Sequence, residues 1–318
     1  MQRIRVDEPN HGVRLDVLLS LEPSFGRSRS FAQKIIDAGL VSINGKLAKS
    51  SARVRAGDEI AFEVPAPLPS EALPESIPID VVYEDSQIIV VNKPRGMVVH
   101  PAAGNRSGTL VNALLARCPD ISAIGDRVRP GIVHRLDKDT TGVLVVAKNE
   151  RSLKALQTQI KARTAKRRYV ALVNGVILKP GMVDAPIGRD PKNRKKMAVV
   201  QNGRPAVTKF CVIERFERSC LLRIELETGR THQIRVHMAH IGHPVANDSV
   251  YGRKKTASTL KGQALHAYEL GLCHPETGVQ MLFRAGLPED FRDELLRIGM
   301  EPAAVDRLVC TEVCEKTS

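Results

Sequence analysis

Five prolines, Pro65, Pro67, Pro69, Pro74 and Pro78, fall within fifteen residues of this 318-residue chain. Each lacks a backbone N–H and has a fixed φ, so neither a helix nor a sheet interior can run through them, and a semi-rigid extended connector is predicted. That divides the chain. A small unit is expected over residues 1–64, the connector over 65–79 and a larger unit over 80–298. A tail over 299–318 shows no obvious partner. The length also suits two domains.

Within the small unit, Val13 to Leu21 has the spacing of an amphipathic helix. Ser28-Arg29-Ser30 offers N-cap chemistry to a second helix, Phe31 to Ala38, with Gly39 just past its end. Val41 to Lys46 reads as a strand entering an Asn44-Gly45 turn. Gly57 marks another turn, before a strand over Glu59 to Val64.

Beyond Asp80 the clearest strands are Ile88 to Val91, Val143 to Ala147, Tyr169 to Val173, Val207 to Val212 and Leu221 to Leu226. Helices are predicted at Thr109 to Arg117, Arg151 to Arg163, Thr231 to Ile241 and Glu289 to Ile298, the last with Pro288 in its first turn. The expected class is α+β: a small N-terminal α+β domain, then a catalytic domain with a large, mainly antiparallel mixed sheet flanked by helices.

Composition narrows the class of partner. The formal net charge is +13, from 48 Lys and Arg against 35 Asp and Glu. Such an excess favours a polyanion, though a solvated basic surface would look the same. Hydrophobic residues make up 42%, enough for a core, but tryptophan is absent and aromatics are only 3%, so the core must rest on aliphatic side chains. No signal-like apolar stretch follows the charged first residues, and no segment approaches a membrane span. The six cysteines form no CxxC pair; they read as reduced thiols of a cytoplasmic protein.

Two stretches concentrate chemistry. In Gly131-Ile-Val-His134-Arg135-Leu136-Asp137-Lys138-Asp139-Thr-Thr-Gly142 a charged cluster precedes a β-branched strand, which places it in a loop at the edge of the sheet. Such an Asp can react, or it can simply close an Asx-turn. In Thr228-Gly229-Arg230-Thr231-His232-Gln233-Ile-Arg235-Val-His237-Met-Ala-His240, Thr231 can cap a helix that shows His232 and Arg235 three apart. Three histidines invite a metal, but there is no HExxH, and His237 faces away from His232. Arg235 is the better lead, because an arginine on a rigid helix can fork onto a carboxylate.

Together with Asn92-Lys93-Pro94, His100-Pro101, Tyr169 in an Arg-Tyr-Val-Ala-Leu-Val run, and Leu265-His266-Ala267, these stretches resemble the RluA family of pseudouridine synthases, closest to its RluD branch. Residues 13–64 similarly resemble an S4 RNA-binding domain, through Arg14-Leu15-Asp16, Ser28-Arg29-Ser30 and Val41-Ser42-Ile43-Asn44-Gly45-Lys46.

The resemblance implies that uracil is detached at N1, turned and rejoined through C5. This is a redox-neutral isomerisation needing no cofactor and no metal. It implies that Asp137 is the reactive carboxylate, Arg235 its charge partner and Tyr169 an active-site tyrosine. Tyr169 suits stacking on a base, against the plainer alternative of a core aromatic. Arg135 would enter the RNA as the target nucleotide leaves its stack, or clamp a phosphate. His134 would shape the motif. His134, Arg230, Arg167, Arg168 and, in the first unit, Arg29, Lys34 and Lys46 are the further expected RNA contacts. The branch implies ribosomal RNA of the large subunit as partner, and a monomer is expected.

Two departures stand out. Asn247-Asp248 replaces the family's usual Gly-Asp, and the segment Lys254 to Gln263 is shorter. The competing reading is a catalytically silent RNA-binding or ribosome-assembly factor. The presence of Asp137, Tyr169 and Arg235 argues against it.

Overall fold

The computed structural model describes residues 2–23, 25, 29–64, 72–102, 104–126, 129–193, 196–252 and 258–310. The chain divides into two units, residues 1–68 and 69–318.

The first contains β1 (Gln2–Arg5), α1 (Leu15–Leu21), α2 (Arg29–Asp37), β2 (Val41–Ile43), β3 (Lys46–Leu47) and β4 (Glu59–Phe62). Its sheet has the order β1-β4-β2-β3. The β2–β3 hairpin closes through Asn44 and Gly45, both at positive φ (50° and 77°), as a primed turn requires. Leu15, Leu19, Ile60 and Phe62 are fully buried at its centre. Ser28 lies outside the described residues, so the expected cap on α2 does too.

The second unit runs β5 (Asp80–Glu84), β6 (Ile88–Lys93), α3 (Leu110–Arg117), β7 (Gly125–Asp126), β8 (Arg129–Pro130), β9 (Thr141–Ala147), α4 (Glu150–Ala162), β10 (Lys166–Asn174), β11 (Gly181–Asp184), β12 (Ile187–Arg189) and β13 (Met197–Val199). It continues with β14 (Val207–Arg215), β15 (Ser219–Leu226), α5 (Gln233–His240), β16 (Leu265–Cys273), β17 (Gln280–Arg284), α6 (Glu289–Arg297) and α7 (Pro302–Cys310). Nine strands form one sheet in the order β11-β14-β15-β10-β16-β9-β6-β5, with β17 also on β16. Every pairing in it is antiparallel except β16 with β9. The apolar runs of β6 and β9 are buried on both faces, which is why they do not alternate.

Three expectations need correction. The proline-rich stretch is not free throughout: Ala72 is buried against Val111 and Leu115, and Asn112 Nδ2 donates to Leu73 O at 2.7 Å. Asn112 also completes a capping box with Thr109, so one side chain starts α3 and anchors the end of the connector. Residues 65–71 are outside the described part.

The C-terminal stretch is not a loose tail up to residue 310. Met300, Val305 and Leu308 are buried in the main core, and Arg292 pairs with Asp306 at 2.7 Å. Its apolar spacing is too short to stand out without the partner helix α6.

Thr231 does not cap α5. His232 occupies that position at φ 57°, and the Gln233 side chain instead accepts from Thr228 Oγ1 and Arg230 N at 2.7 and 2.9 Å.

Cys118, Cys220 and Cys273 are free thiols. The Cys310 side chain and Cys314 lie outside the described residues. Among the described residues no helix is long and apolar enough to cross a membrane.

Candidate active site

The loop between β8 and β9 carries Asp137, and its backbone is fixed from below by two cations. Lys93, fully buried at the end of β6, donates from Nζ to the carbonyls of Pro94, Met97 and Lys138 at 2.8, 2.8 and 3.0 Å. Burial pushes this ammonium down to about 7. Three carbonyl acceptors favour its charged form, since a neutral amine has only two N–H groups to offer. Arg95 donates from Nη1 to Asp139 O at 2.6 Å and Gln263 O at 2.8 Å, and pairs with Asp290. Sequence reasoning quoted Lys93 and gave it no task. The signal was a lysine ending an otherwise apolar strand.

The loop then enters β9 through Gly142, whose φ is +114°. A Cβ there would stand 2.1 Å from Ala267 O. Only glycine lets β9 pair in parallel with β16 at this point. β16, buried through Leu270 and beyond, was missed as a strand because His266 and Glu269 interrupt its apolar pattern.

Helix α5 brings Arg235 to Asp137, with Nη1 donating to Oδ2 at 3.0 Å. This is one bond, not a fork. The fork goes to Asp248: Nε to Oδ2 at 2.7 Å and Nη2 to Oδ1 at 2.9 Å. Arg235 and Asp248 are both buried. Burial opposes ionisation of Asp248, but the Arg235 guanidinium and the N–H groups of Val250 and Tyr251 prevail and lower its pKa. Two carboxylates therefore share one guanidinium.

Asn247, at a φ of 56° that asparagine tolerates better than most residues, donates to Leu260 O at 2.7 Å and presents Asp248 to the arginine. Sequence reasoning noted Asn247-Asp248 only as a departure and so missed the residue that holds Arg235.

Asp137 Oδ1 carries no hydrogen bond among the described residues; its nearest charged-capable neighbour is His232 Nε2 at 3.9 Å. Burial lowers the His232 pKa against the pull of Asp137. His232 Nδ1 and the Tyr251 hydroxyl are 2.9 Å apart, and the Tyr251 ring lies under the Arg235 guanidinium at 5.2 Å. Among the described residues no group of three or more His, Cys, Asp or Glu is placed to hold a metal ion. His237 is spent on Thr208 Oγ1 and Ala185 O, and His240 is exposed.

Tyr169 sits on β10 where the register against β16 slips. Its ring is 5% exposed and burial raises its pKa, yet its hydroxyl bonds no described residue. Tyr169, Asp137, Arg135 and Arg230 line both a 40 Å³ depression at Arg235 and an adjoining cavity of about 640 Å³.

His134 accepts from Val145 N at 3.3 Å, and burial, aided by Arg167, pushes its imidazole well below the usual range. Arg230 spends Nε on Pro205 O at 3.0 Å. Arg167 lines the large cavity with Tyr169. Arg168 does not, because strand alternation turns it to the opposite face, where it pairs with Glu225 and Glu269 at 3.2 and 2.8 Å. Arg168 therefore does not share the cavity face with Arg167.

In the first unit Arg29 pairs with buried Asp16 at 3.0 Å, alongside Arg14 and Gln33. Lys34 and Lys46 are exposed. Arg194, Lys195 and Arg253 to Lys255 lie outside the described residues.

A half-open carboxylate in a cleft rimmed by arginines, beside a chain excess of positive charge, suits an enzyme with a polyanionic substrate. Comparison makes the class specific. Residues 87–240 match the family model described as RNA pseudouridylate synthase, and residues 13–60 match the S4 domain. An uncharacterised RNA pseudouridine synthase of Bacillus subtilis is 47% identical over 91% of this chain and 95% of its own length. Ribosomal large subunit pseudouridine synthase D of Nitrosomonas europaea is 48% identical, covering 88% of this chain and 82% of that one. Its namesake in Pseudomonas aeruginosa is 46% identical, covering 88% and 90%. The solved structure of human RNA pseudouridylate synthase domain containing 4 superposes with a TM-score of 0.56 at 27% identity, over 70% of this chain and 94% of that chain. The chain belongs to the RNA pseudouridine synthase family, and is an isomerase acting on RNA.

Proposed function

We propose that this enzyme converts uridines of large-subunit ribosomal RNA to pseudouridine, with Asp137 as the reacting carboxylate. The target class rests on the two relatives named for it, which align along most of both chains. The observation that carries the residue assignment is the asymmetry of Asp137. Oδ2 is tied to Arg235 while Oδ1 has no hydrogen bond among the described residues, in a cleft shared with Tyr169. One oxygen fixes the orientation and the other is left for the sugar or base, whichever atom it attacks or deprotonates.

Tyr169 gives the uracil a face to stack on. Arg135, exposed at the rim of both cavities, is placed to fill the space a flipped nucleotide leaves. Arg230, His134 and, in the S4 domain, Lys34, Lys46 and the outer edge of Arg29 supply further RNA contacts. None of these steps consumes a cofactor.

Asp137→Asn tests the assignment. It keeps shape and RNA affinity, which comes mainly from phosphates. Release of tritium from C5 of labelled ribosomal RNA should fall roughly a thousandfold or more. Asp139→Asn is the control: the Asp139 side chain makes no hydrogen bond or ion pair to a described residue, so most activity should remain. An active Asp137→Asn enzyme would remove the carboxylate from the mechanism.

A further inference from the structure

Among the described residues of the second unit, two arginines are buried. Arg235 has Asp137 and Asp248 as carboxylate partners. The other, Arg167, is 5% exposed, yet no described carboxylate pairs with it. Its Nε has no hydrogen-bond partner, and Nη2 reaches only Leu226 O at 3.5 Å. A buried guanidinium left this way is costly.

The fold makes room for it nonetheless. A Cβ on Gly229 would stand 2.7 Å from Arg167 Nη1, so glycine at 229 keeps space for the guanidinium. Arg167 lies two residues before Tyr169, on the same face of β10, and lines the 640 Å³ cavity that also reaches Asp137. Around that cavity stand Arg135, Lys161, Arg163 and Arg230, while its second carboxylate, Glu227, is already neutralised by Arg163 and Lys209 at 3.1 and 2.6 Å. The large cavity is thus cationic, and its most buried cation lacks a counter-charge.

We infer that Arg167 anchors a phosphate subsite, where one phosphodiester of the RNA strand flanking the bound uridine receives the guanidinium. This rests on the reading that the Asp137 cleft takes a uridine within RNA. It adds a defined neighbour: a single backbone phosphate held by a buried charge, distinct from the exposed lysines that track the backbone loosely. A guanidinium can fork onto two phosphate oxygens, which fixes the strand's register as well as its affinity.

A structural role and a phosphate role predict opposite effects of Arg167→Met. If Arg167 holds the fold together, the variant melts lower. If it waits for an anion, removing the unpaired charge leaves the melting temperature of the RNA-free protein equal or higher, while RNA binding weakens.

The closing experiment uses the full chain and a ribosomal RNA fragment in which each phosphate in turn is replaced by a neutral methylphosphonate. At one linkage near the target uridine, the replacement should weaken binding to the parent about tenfold and leave Arg167→Met unaffected. The magnitude of the slope of log K against log[salt] should fall by about 0.7–0.9 in the variant, the value for one contact. Arg168→Met, on the other face of the sheet, should keep the parent's pattern. Gly229→Ala, which crowds the guanidinium without removing it, should lose sensitivity at the same linkage. Additive losses at every linkage, or an unchanged salt slope, would overturn the subsite. The readout is binding, so such a result condemns the subsite alone. Absence of pseudouridine from RNA treated with the parent would instead condemn the enzymatic reading.

Discussion

The geometry of the carboxylate proposed to react is set by what its neighbours leave undone. Arg235 gives Asp137 one hydrogen bond and Asp248 two, so the arginine is positioned by Asp248 and then positions Asp137. Motif reading paired Arg235 with Asp137 and expected the fork there. The partner was right and the fork misplaced, because a one-dimensional motif cannot show that a guanidinium has two carboxylates to satisfy. The consequence is testable. Arg235→Lys places a single ammonium where three N–H groups served two acids, so Asp248 loses at least one charged bond in a buried setting. Stability should fall by roughly 3 kcal/mol, in the range for breaking a buried pair. Asp248→Asn keeps the shape and touches no substrate, yet should lower kcat on the order of 10- to 100-fold through misplacement of Arg235, with KM little changed. Stopped-time tritium release and thermal melts separate the two effects. A normal kcat in Asp248→Asn would show that Arg235 holds its place without the fork.

At the scale of elements, the seam between β9 and β16 lies where the Asp137 loop enters the sheet. His266, fully buried, spans it: Nε2–H donates to Ala285 O at 3.0 Å, so Nδ1 accepts from Thr141 Oγ1 at 2.7 Å in the neutral ring. Burial lowers its pKa to about 4. The unfolded chain takes up a proton near pH 6.5, and the folded one refuses it until about pH 4. The contribution is therefore intact above pH 6.5 and lost as pH falls toward 4, by on the order of 3 kcal/mol. His266→Gln can keep both hydrogen bonds without titrating. Urea unfolding between pH 7 and 4 should show a shallower acid loss in the variant, and parallel curves would mean the imidazole does not carry the effect. The sequence showed β6 and β9 plainly, since unbroken β-branched runs need burial on both faces. It did not show β16, where His266 and Glu269 are polar residues whose partners lie outside the strand, Thr141 and Ala285 for one and Arg168 and Arg284 for the other. It did not show α7 either, because Val305 and Leu308 gain meaning only against the core they complete. That Arg235 meets Asp137 in a cleft shared with Tyr169 was legible because motif patterns are local. Asp248, Lys93 and the lone charge of Arg167 were not, because their tasks depend on who else is buried nearby.

For the whole molecule, charge is distributed unevenly between the two units. Residues 1–68 hold ten Lys and Arg against eight Asp and Glu, a net of +2 out of +13. The excess lies almost wholly in the catalytic unit, which must already attract RNA by itself. The S4 domain then contributes by placement more than by net charge: Lys34, Lys46 and Lys49 are exposed, whereas Arg29 is partly committed to Asp16. A truncated enzyme tests this, and the structure sets where to cut. Starting at Asp80 would strip Ala72 and Leu73 from α3, so the chain should start at Pro69. It should fold, since the core of residues 69–318 is complete without the first unit. On short RNA at saturating concentration its turnover should match the parent, because none of Asp137, Tyr169 and Arg235 lies before residue 69. Its affinity should drop, and the slope of log K against log[salt] should lose about 2–3 in magnitude, the sum for three lysine–phosphate contacts. Equal affinity with an unchanged slope would mean that the S4 domain does not touch the RNA. Lost turnover at saturation, in a protein that melts as cooperatively as the parent, would mean that the domain helps build the reactive complex itself.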